Sequence, residues 1–339
     1  MEIKDISIGG YFSLELPYHD EYHKEAIKLN TGRNCLEYIL RCRRYKKVYI
    51  SYYTCEVILE PFLKTETEYS LYHIDLNFEI TNDIVLQKDE ALLYTNYYGL
   101  KQRYIEKLVA KYGKQLIIDN TQAFYDKPFE NIDTFYTCRK FYGVPDGAYL
   151  YLGVPKSNLS ISIEQDISFS RMNHLLKRID LSVEEGFSDF RRVDDGLDNQ
   201  PIRLMSKLTK RLMQSIAYKD VAKQRRENFL QLHEALKGTN ILTTTPHTAL
   251  YDNHRETWFT NDTVPMVYPY LTNHINLREH LIQNKIFVPC YWTNVLQWTN
   301  ENSTEHLLAQ KMIPLPIDQR YGKNDMNRII TVIQECQYN

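Results

Sequence analysis

Lys140 is the residue of this sequence whose position most strongly suggests a reactive side chain. It follows an aromatic and β-branched run, Thr134–Thr137, and precedes the turn Gly-Val-Pro-Asp-Gly and a second strand-like run. A lysine between two buried strands is costly to desolvate, and the adjacent cation Arg139 further favours its neutral amine. Because a neutral amine can attack an aldehyde, Lys140 is a candidate nucleophile; the alternative is a solvated loop lysine.

Two further groups could serve such an amine. Asp119 ends the apolar run QLIID, where an unpaired carboxylate is expensive, so we expect a cleft with a cationic or proton-donating partner. Thr31 and Gly32 precede a predicted helix, and the free amides of a helix start bind phosphate well. Each feature also has an ordinary explanation, because Asp119 could cap a helix or form a turn, and Thr-Gly is a common helix cap.

The sequence lacks the motifs of nicotinamide-binding sites and of common metal-binding sites. No G-x-G-x-x-G follows a predicted strand, so the sequence does not predict a nicotinamide site. His19 and His23 are four residues apart, but Asp20 stands where zinc peptidases need glutamate, and no third ligand is evident. The six cysteines form no CxxC pair and are expected to be reduced thiols. We therefore predict no metal site.

The elements that must position these residues alternate between strand and helix from about residue 30 to 153. Strand-like runs such as KVYIS and QLIID lie between helical patterns such as GRNCLEYILRCRRY and RYIEKLVAKYG. This alternation predicts a mostly parallel sheet covered by helices, with its site at the carboxyl ends of the strands.

The second half of the chain predicts a bridging helix and a smaller domain. Residues 203–236 are predicted as helix, long enough to bridge two domains. After Gly238, the runs TVPMVYPYL and IFVPCYW are predicted strands, and LREHLIQNKI and KNDMNRIITVIQEC are predicted helices. We expect a large domain with an N-terminal arm at 1–225 and a small C-terminal α/β domain at 226–339.

The length and net charge of the chain limit its domain organisation and the kinds of partner that it can bind. A chain of 339 residues can form two packed domains or one large α/β domain. Its formal charge of -2 provides no basic field for nucleic acid or an anionic membrane, so we expect small polar partners. The sequence contains no apolar run of membrane-spanning length, and its start lacks the features of a signal peptide. We therefore expect a cytoplasmic protein.

Together these segments resemble the pyridoxal-phosphate-dependent enzymes of the aspartate aminotransferase fold, fold type I, and most closely the sugar aminotransferases of the DegT/StrS (DegT/DnrJ/EryC1/StrS) family. QLIIDNTQAF is similar to the family's strand ending in Asp-x-x-Gln-Ala, and TCRKFYGVPDGAYLYL is similar to its lysine, spacer, acid and glycine. LNTGRNCL, VYISYYTCEVILEPF and IPLPIDQRYGKNDMNRII are similar to its phosphate-binding helix start, its second-helix segment and its closing segment. The resemblance spans nearly the whole chain and implies a sheet of the seven-stranded type.

The resemblance also implies roles for the site residues. Lys140 would form the internal aldimine with pyridoxal 5′-phosphate, Asp119 would pair with the pyridine nitrogen, and Gln122 would lie near the ring hydroxyl. The other implied cofactor-binding residues are Gly32, Arg33, Tyr53, Cys55 and Thr137.

The sequence departs from the family's pattern at several positions. Arg33 stands where threonine is common, and Cys55 stands where an aromatic residue stacks on the ring. Phe135 replaces a serine, which makes Thr137 the candidate side-chain phosphate ligand. The segment that reaches the neighbouring subunit's phosphate is not recognisable, which leaves as candidates Asn199, Arg203 and Ser206.

The resemblance implies an aminotransferase of nucleotide-sugar biosynthesis. The enzyme would take nitrogen from an amino acid, glutamate, and give it to a nucleotide-linked keto sugar, acting as a homodimer. Loops GGYF, YYGL and PCYWTNV are expected to contact the acceptor. Alternatives are a dehydratase or decarboxylase using the same cofactor, and a binding or regulatory protein that has lost catalysis. The family's dehydratases carry histidine in place of the lysine, so Lys140 favours transamination, whereas the departures favour the inert protein.

Overall fold

The computed structural model describes residues 8–154, 162–245 and 262–338. Residues 1–7, part of the start used to predict the absence of a signal peptide, lie outside these ranges. Within them the strands are β1 (Ile27–Leu29), β2 (Lys47–Ser51), β3 (Glu68–Tyr72), β4 (Glu90–Thr95), β5 (Leu116–Asp119), β6 (Asp133–Thr137), β7 (Ala148–Tyr151), β8 (Val267–Leu271) and β9 (Met312–Pro316).

The helices cover the sheet and build the C-terminal part of the molecule. In the described ranges they are α1 (Gly32–Arg43), α2 (Leu59–Thr65), α3 (Gln102–Tyr112), α4 (Asn173–Asp180), α5 (Val183–Asp195), α6 (Lys207–Met213), α7 (Tyr218–Leu236), α8 (Ile241–Thr244), α9 (Leu277–Gln283), α10 (Val295–Trp298), α11 (Thr304–Lys311) and α12 (Lys323–Tyr338). None of the described helices is both long and apolar enough to cross a membrane.

The first seven strands form one sheet in the order β1-β7-β6-β5-β4-β2-β3. Strands β3, β2, β4, β5 and β6 pair in parallel, and β7 runs antiparallel to both of its neighbours, β6 and β1. Alternate residues of β4 enter two different cores: Leu92 and Tyr94 pack in one, and Ala91 and Leu93 in the other. This pattern is typical of a strand covered on both faces, and it confirms the predicted mostly parallel seven-stranded sheet.

The C-terminal part contains a two-stranded antiparallel sheet, β8 and β9, packed with helices that include α7 and α12. The prediction of a strand at IFVPCYW was wrong, because residues 286–292, all described, form no strand. Ile286 and Val288 are buried in the core without strand pairing, and Pro289 has no backbone N–H to donate to a neighbouring strand.

The prediction of one helix over 203–236 was also wrong. Leu204 forms bridges with Leu29 and Gln165, so the start of this segment runs beside the sheet. Ser206 then caps α6, and a break between Met213 and Tyr218 separates α6 from α7. Because β-bridging and a new cap interrupt it, the helical periodicity of the sequence does not form one continuous helix. The predicted domain boundary after residue 225 falls inside α7 and stays a prediction.

The sheet brings the candidate residues to one edge. Asp119 is the last residue of β5, Thr95 is the last of β4, and the two are aligned in the parallel pairing. Asp119 is also aligned with Phe135 of β6, two residues before that strand ends. Helix α1 begins at Gly32, directly after β1, so its amino end lies at this same edge.

Candidate active site

A cavity of about 270 Å³ opens at the carboxyl ends of the parallel strands. Its walls come from the start of α1, the segment after β2, the ends of β4, β5 and β6, and the loop that carries Trp292. Seven of the eight predicted cofactor-binding residues line it together: Gly32, Arg33, Cys55, Asp119, Gln122, Thr137 and Lys140.

Lys140 lies in the turn that joins β6 to β7. The turn is closed by a hydrogen bond from Cys138 N to Gly147 O at 3.0 Å, and Gly147 has a positive φ of 112°. The Lys140 Nζ donates a hydrogen bond to Thr121 Oγ1 at 3.1 Å. As a residue Lys140 is exposed to solvent, but partial desolvation of its amine lowers the amine pKa, while the Asp119 carboxylate and Cys55 act to raise it.

Arg139 does not have the effect on Lys140 that the sequence predicted. Its Nη1 forms an ion pair with Asp194 Oδ1 of α5 at 2.9 Å, so its charge is largely compensated. Burial is the main cause of the lowered pKa of Lys140. Of the two causes that the sequence suggested, desolvation is therefore retained and the charge of Arg139 is not.

Asp119 presents its carboxylate to the cavity from a position that is only 6% exposed. Its Oδ1 accepts a hydrogen bond from Thr121 N at 2.8 Å, and its Oδ2 accepts a long one from Thr95 Oγ1 at 3.4 Å. The backbone turn after β5 thus fixes one oxygen, whereas the other is held only loosely and can bind a protonated group in the cavity.

The amino end of α1 forms another wall. Thr31 is the helix cap, and its Oγ1 accepts a hydrogen bond from Asn34 N at 3.1 Å. The amides of Gly32 and Arg33 precede the first possible i−4 carbonyl of the helix and are available to an anion. A Cβ at position 32 would lie 3.2 Å from Thr121 Cγ2, so the absence of a side chain at Gly32 keeps this end of the cavity open.

Arg33 carries its charge at the rim of the cavity. Its Nη1 contacts Glu60 Oε2 at 3.0 Å and also Asp198. The guanidinium is therefore held between two carboxylates in this structure, and a bound anion would compete with them for it.

Three more predicted residues line the cavity in different ways. Burial raises the pKa of the Cys55 thiol against the opposing effects of Lys140 and Arg33, so Cys55 is a neutral, polarisable wall. Gln122 Oε1 accepts a hydrogen bond from Tyr98 N at 2.9 Å, which fixes its amide orientation. Thr137 Oγ1 is only 3.4 Å from Gly147 O, a weak contact that leaves its hydroxyl available.

The remaining predicted residues lie elsewhere. Tyr53 is fully buried, and its hydroxyl is 3.0 Å from that of Tyr98. Ser206 is buried as the cap of α6 and donates a hydrogen bond to Asp146 Oδ1 at 2.7 Å. Asn199 and Arg203 line a separate, more open cavity of about 650 Å³. The structure therefore separates the three cross-subunit candidates from the Lys140 cavity of this chain.

The three loops expected to contact the acceptor lie in different environments. Gly9–Phe12 is exposed, whereas Tyr97–Leu100 is buried in the core. In the third loop, Trp292 lines the cavity and packs edge-to-face against Tyr53, with ring centroids 5.1 Å apart. Only this third loop therefore reaches the cavity directly.

Sequence reasoning missed Thr121 and Asp194 as site residues. Thr121 lies between Asp119 and Gln122 in the DNTQ segment, and its place two residues after the strand end was a usable signal. Asp194 lies far along the chain in α5, and only the packing of this helix near Arg139 brings it to the cavity.

No protein-family model matches this sequence. No curated protein matches it either. Solved structures do, and one of them is Spr1654 from Streptococcus pneumoniae, provisionally named a sugar aminotransferase, at 12% identity and a TM-score of 0.61 over 95% of this chain and 92% of that one. The chain has the fold of the sugar aminotransferases.

Two further neighbours support this fold assignment. Sugar aminotransferase CalS13 from Micromonospora echinospora is 14% identical, with a TM-score of 0.54 over 92% of this chain and 88% of its own. A DegT DnrJ EryC1 StrS aminotransferase from Brucella abortus is 14% identical, with a TM-score of 0.57 over 93% and 88%. The fold expected from the sequence motifs is confirmed, and one neighbour carries the name of the predicted family.

Proposed function

We propose that this protein is a pyridoxal-phosphate-dependent aminotransferase that moves an amino group from glutamate to a nucleotide-linked keto sugar. One observation carries the proposal: the Lys140 amine, the Asp119 carboxylate and the first turn of α1 line a single cavity. The fold supports it, because the Spr1654 structures include forms with pyridoxal phosphate and pyridoxamine phosphate.

The residues present fit this cofactor. The amides of Gly32 and Arg33, with the positive end of the α1 dipole, would hold the phosphate, and the small Gly32 leaves room for it. Thr137 would add a hydroxyl to the phosphate. Asp119 would face the ring nitrogen, Gln122 would lie near the ring hydroxyl, and Cys55 would line a face of the ring. When bound, the cofactor supplies an electron sink for the carbanion at the substrate carbon.

Two protein groups would control protons in the reaction. The Asp119 carboxylate would keep a proton on the ring nitrogen, because an adjacent negative charge favours a protonated base. The Lys140 Nζ would take the proton from the α-carbon of the amino donor and return a proton to the carbonyl-derived carbon of the cofactor. A lowered amine pKa suits this work, because the neutral nitrogen can accept a proton near neutral pH.

The structure offers a specific reason to prefer a catalytic protein over an inert binding protein. The departures at Arg33 and Cys55 leave the amine, the carboxylate and the helix start in one cavity. The Arg33 guanidinium is held by Glu60 and Asp198. These departures alter the edge of the cavity and leave its reactive centre in place.

The proposal extends to the whole molecule. We propose a large domain at 1–225, a small domain at 226–339, a cytoplasmic location and a homodimer. A homodimer would cover large apolar side chains that this chain leaves exposed in the N-terminal arm and around α4 and α5, among them Ile8, Tyr11, Phe12, Phe169 and Phe187. Asn199 and Arg203, outside the cavity of their own chain, would remain available to a neighbouring subunit.

A half-reaction experiment tests the activity. Purified protein loaded with pyridoxal phosphate is mixed with glutamate, and the absorbance of the bound cofactor and the 2-oxoglutarate formed are measured. We expect the visible band to be lost and one 2-oxoglutarate to be released per site, whereas Lys140→Ala should release none. Lys114→Ala, a change outside the cavity, is the control. Binding of the cofactor without keto acid release from any of the common amino acids would indicate the inert protein.

A further inference from the structure

We propose that Thr121 is a positioning residue for Lys140, so that its hydroxyl holds the amine in line for attack on the cofactor's aldehyde carbon. The inference rests on the proposed function. Its basis is the set of three contacts that Thr121 makes inside the cavity.

The first contact is with the amine itself. Thr121 Oγ1 accepts the hydrogen bond from Lys140 Nζ at 3.1 Å, and among the described residues it is the partner that the structure gives to this amine. A hydroxyl can accept from an ammonium group and donate to a neutral amine. Thr121 can therefore hold Lys140 before and after the amine loses its proton.

The other two contacts fix the hydroxyl. The backbone N of Thr121 donates to Asp119 Oδ1 at 2.8 Å, which anchors the main chain beside the carboxylate. The Thr121 Cγ2 would be 3.2 Å from a Cβ at Gly32, so its methyl faces the start of α1. A β-branched side chain has few χ1 rotamers, and with the methyl so placed, the hydroxyl direction is set.

The neighbouring residue makes this segment rigid on its other side. Gln122 Oε1 accepts a hydrogen bond from Tyr98 N at 2.9 Å, and Thr121 and Gln122 are both more than nine-tenths buried. Thr121 thus meets the carboxylate through its backbone N, and the amine and the helix start through its side chain. A lysine has four rotatable side-chain bonds, and holding its end restricts the amine to the reactive geometry.

The step that Thr121 would assist is cofactor loading. The neutral Lys140 nitrogen would attack the aldehyde carbon, a carbon–nitrogen double bond would replace the carbon–oxygen double bond, and the aldehyde oxygen would leave as water with the two protons of the amine. Positioning should increase the rate of this step without changing phosphate affinity, because the phosphate would bind to the amides of α1.

The test measures loading kinetics rather than turnover. Full-length protein stripped of cofactor is mixed with pyridoxal phosphate, quenched with borohydride at set times, and analysed by mass spectrometry. The concentration dependence separates affinity from the limiting rate, and measurement on the high-pH plateau removes differences in protonation. Thr121→Val should lower the limiting rate about fivefold, the size expected for one lost hydrogen bond, with unchanged affinity.

Two variants serve as controls. Thr121→Ser keeps the hydroxyl but loses the methyl that directs it, so it should load faster than Thr121→Val and no faster than wild type. Thr134→Val removes the hydroxyl of a second buried threonine, one that contacts Ile132 O outside the cavity, and should have no effect on loading. Thr121→Ala replaces the valine variant if that protein does not fold.

The outcomes separate this inference from the proposed function. If Thr121→Val loads as fast as wild type, or if Thr121→Ser is as slow as Thr121→Val, the positioning role is wrong while the proposed function stands. If Lys140→Ala is labelled as rapidly as wild type, Lys140 is not the loading residue, and the proposed function itself fails.

Discussion

At the scale of single residues, the reactivity of Lys140 depends on its surroundings in space. Burial lowers the pKa of its amine, and the Asp119 carboxylate and Cys55 partly oppose this effect. The neighbouring Arg139 is paired with Asp194. The groups that determine the protonation state of Lys140 therefore come from other strands and loops, as is common at catalytic sites.

The effect of Asp119 gives a pH prediction with a definite sign. A negative carboxylate stabilises the ammonium form, so Asp119→Asn should lower the pKa of Lys140 further. The measurement is reductive methylation of the cofactor-free protein with formaldehyde and cyanoborohydride, followed at Lys140 by mass spectrometry over a range of pH. The pH of half-maximal rate should move downward in Asp119→Asn.

A matched variant controls for the loss of any carboxylate. Asp198 also lines the cavity but is paired with Arg33, and it is not among the groups that raise the pKa of Lys140. Asp198→Asn should therefore leave the pH midpoint in place. An upward or absent shift in Asp119→Asn would show that the two groups are not electrostatically coupled as the structure implies.

At the scale of elements, hydrogen bonds of Asp146 hold the turn after Lys140 against the start of α6. This carboxylate is fully buried and accepts hydrogen bonds from Ser206 N at 2.9 Å, from Ser206 Oγ at 2.7 Å and from Thr209 Oγ1. Ser206 Oγ also accepts from Thr209 N at 3.0 Å as the helix cap. The acid of the GVPDG turn thus has a structural role, and it fixes the end of the hairpin that carries Lys140.

The hydrogen bonds between Asp146 and Ser206 predict that two helix-cap substitutions will lower the free energy of unfolding by different amounts. Ser206→Ala removes a cap, one hydrogen bond to a buried carboxylate and a 2.7 Å contact with Ser168 Oγ, so it should lower the free energy of unfolding by about 2 kcal/mol. Ser303→Ala removes an ordinary cap, in which Ser303 Oγ accepts from His306 N, and should cost about 1 kcal/mol. Urea denaturation measures both. Equal losses would mean that the Asp146 contact adds no stability.

The sequence was informative about local elements and less so about long-range packing. The helix starting at Gly32 and the strand ending at Asp119 follow from periodicity and caps, which are local properties. The break between α6 and α7 depends on the bridge that Leu204 makes with Leu29, which periodicity cannot show. Asp194 joins the site through the packing of α5, and the burial of Tyr53 likewise depends on tertiary structure.

At the scale of the whole molecule, Arg225 connects the Lys140 turn to the C-terminal part. It is 1% exposed; its guanidinium donates to Phe141 O at 3.3 Å, to Met266 O at 3.0 Å and to Gln319 Oε1 at 3.0 Å. Its charge also lies 4.5 Å from the Phe141 ring centroid. A second link is Gln319, which donates to the same Phe141 carbonyl at 2.8 Å. The residue after Lys140 is thus held by two side chains from the second half of the chain.

Site mapping provides the most direct test of the central claim, that Lys140 is the residue to which pyridoxal phosphate becomes attached. The protein is loaded with the cofactor, reduced with borohydride, digested and mapped by mass spectrometry. The account predicts one label per chain, on Lys140, and no label at this site in Lys140→Ala. A label on another lysine, or a protein that takes up no cofactor, would contradict it.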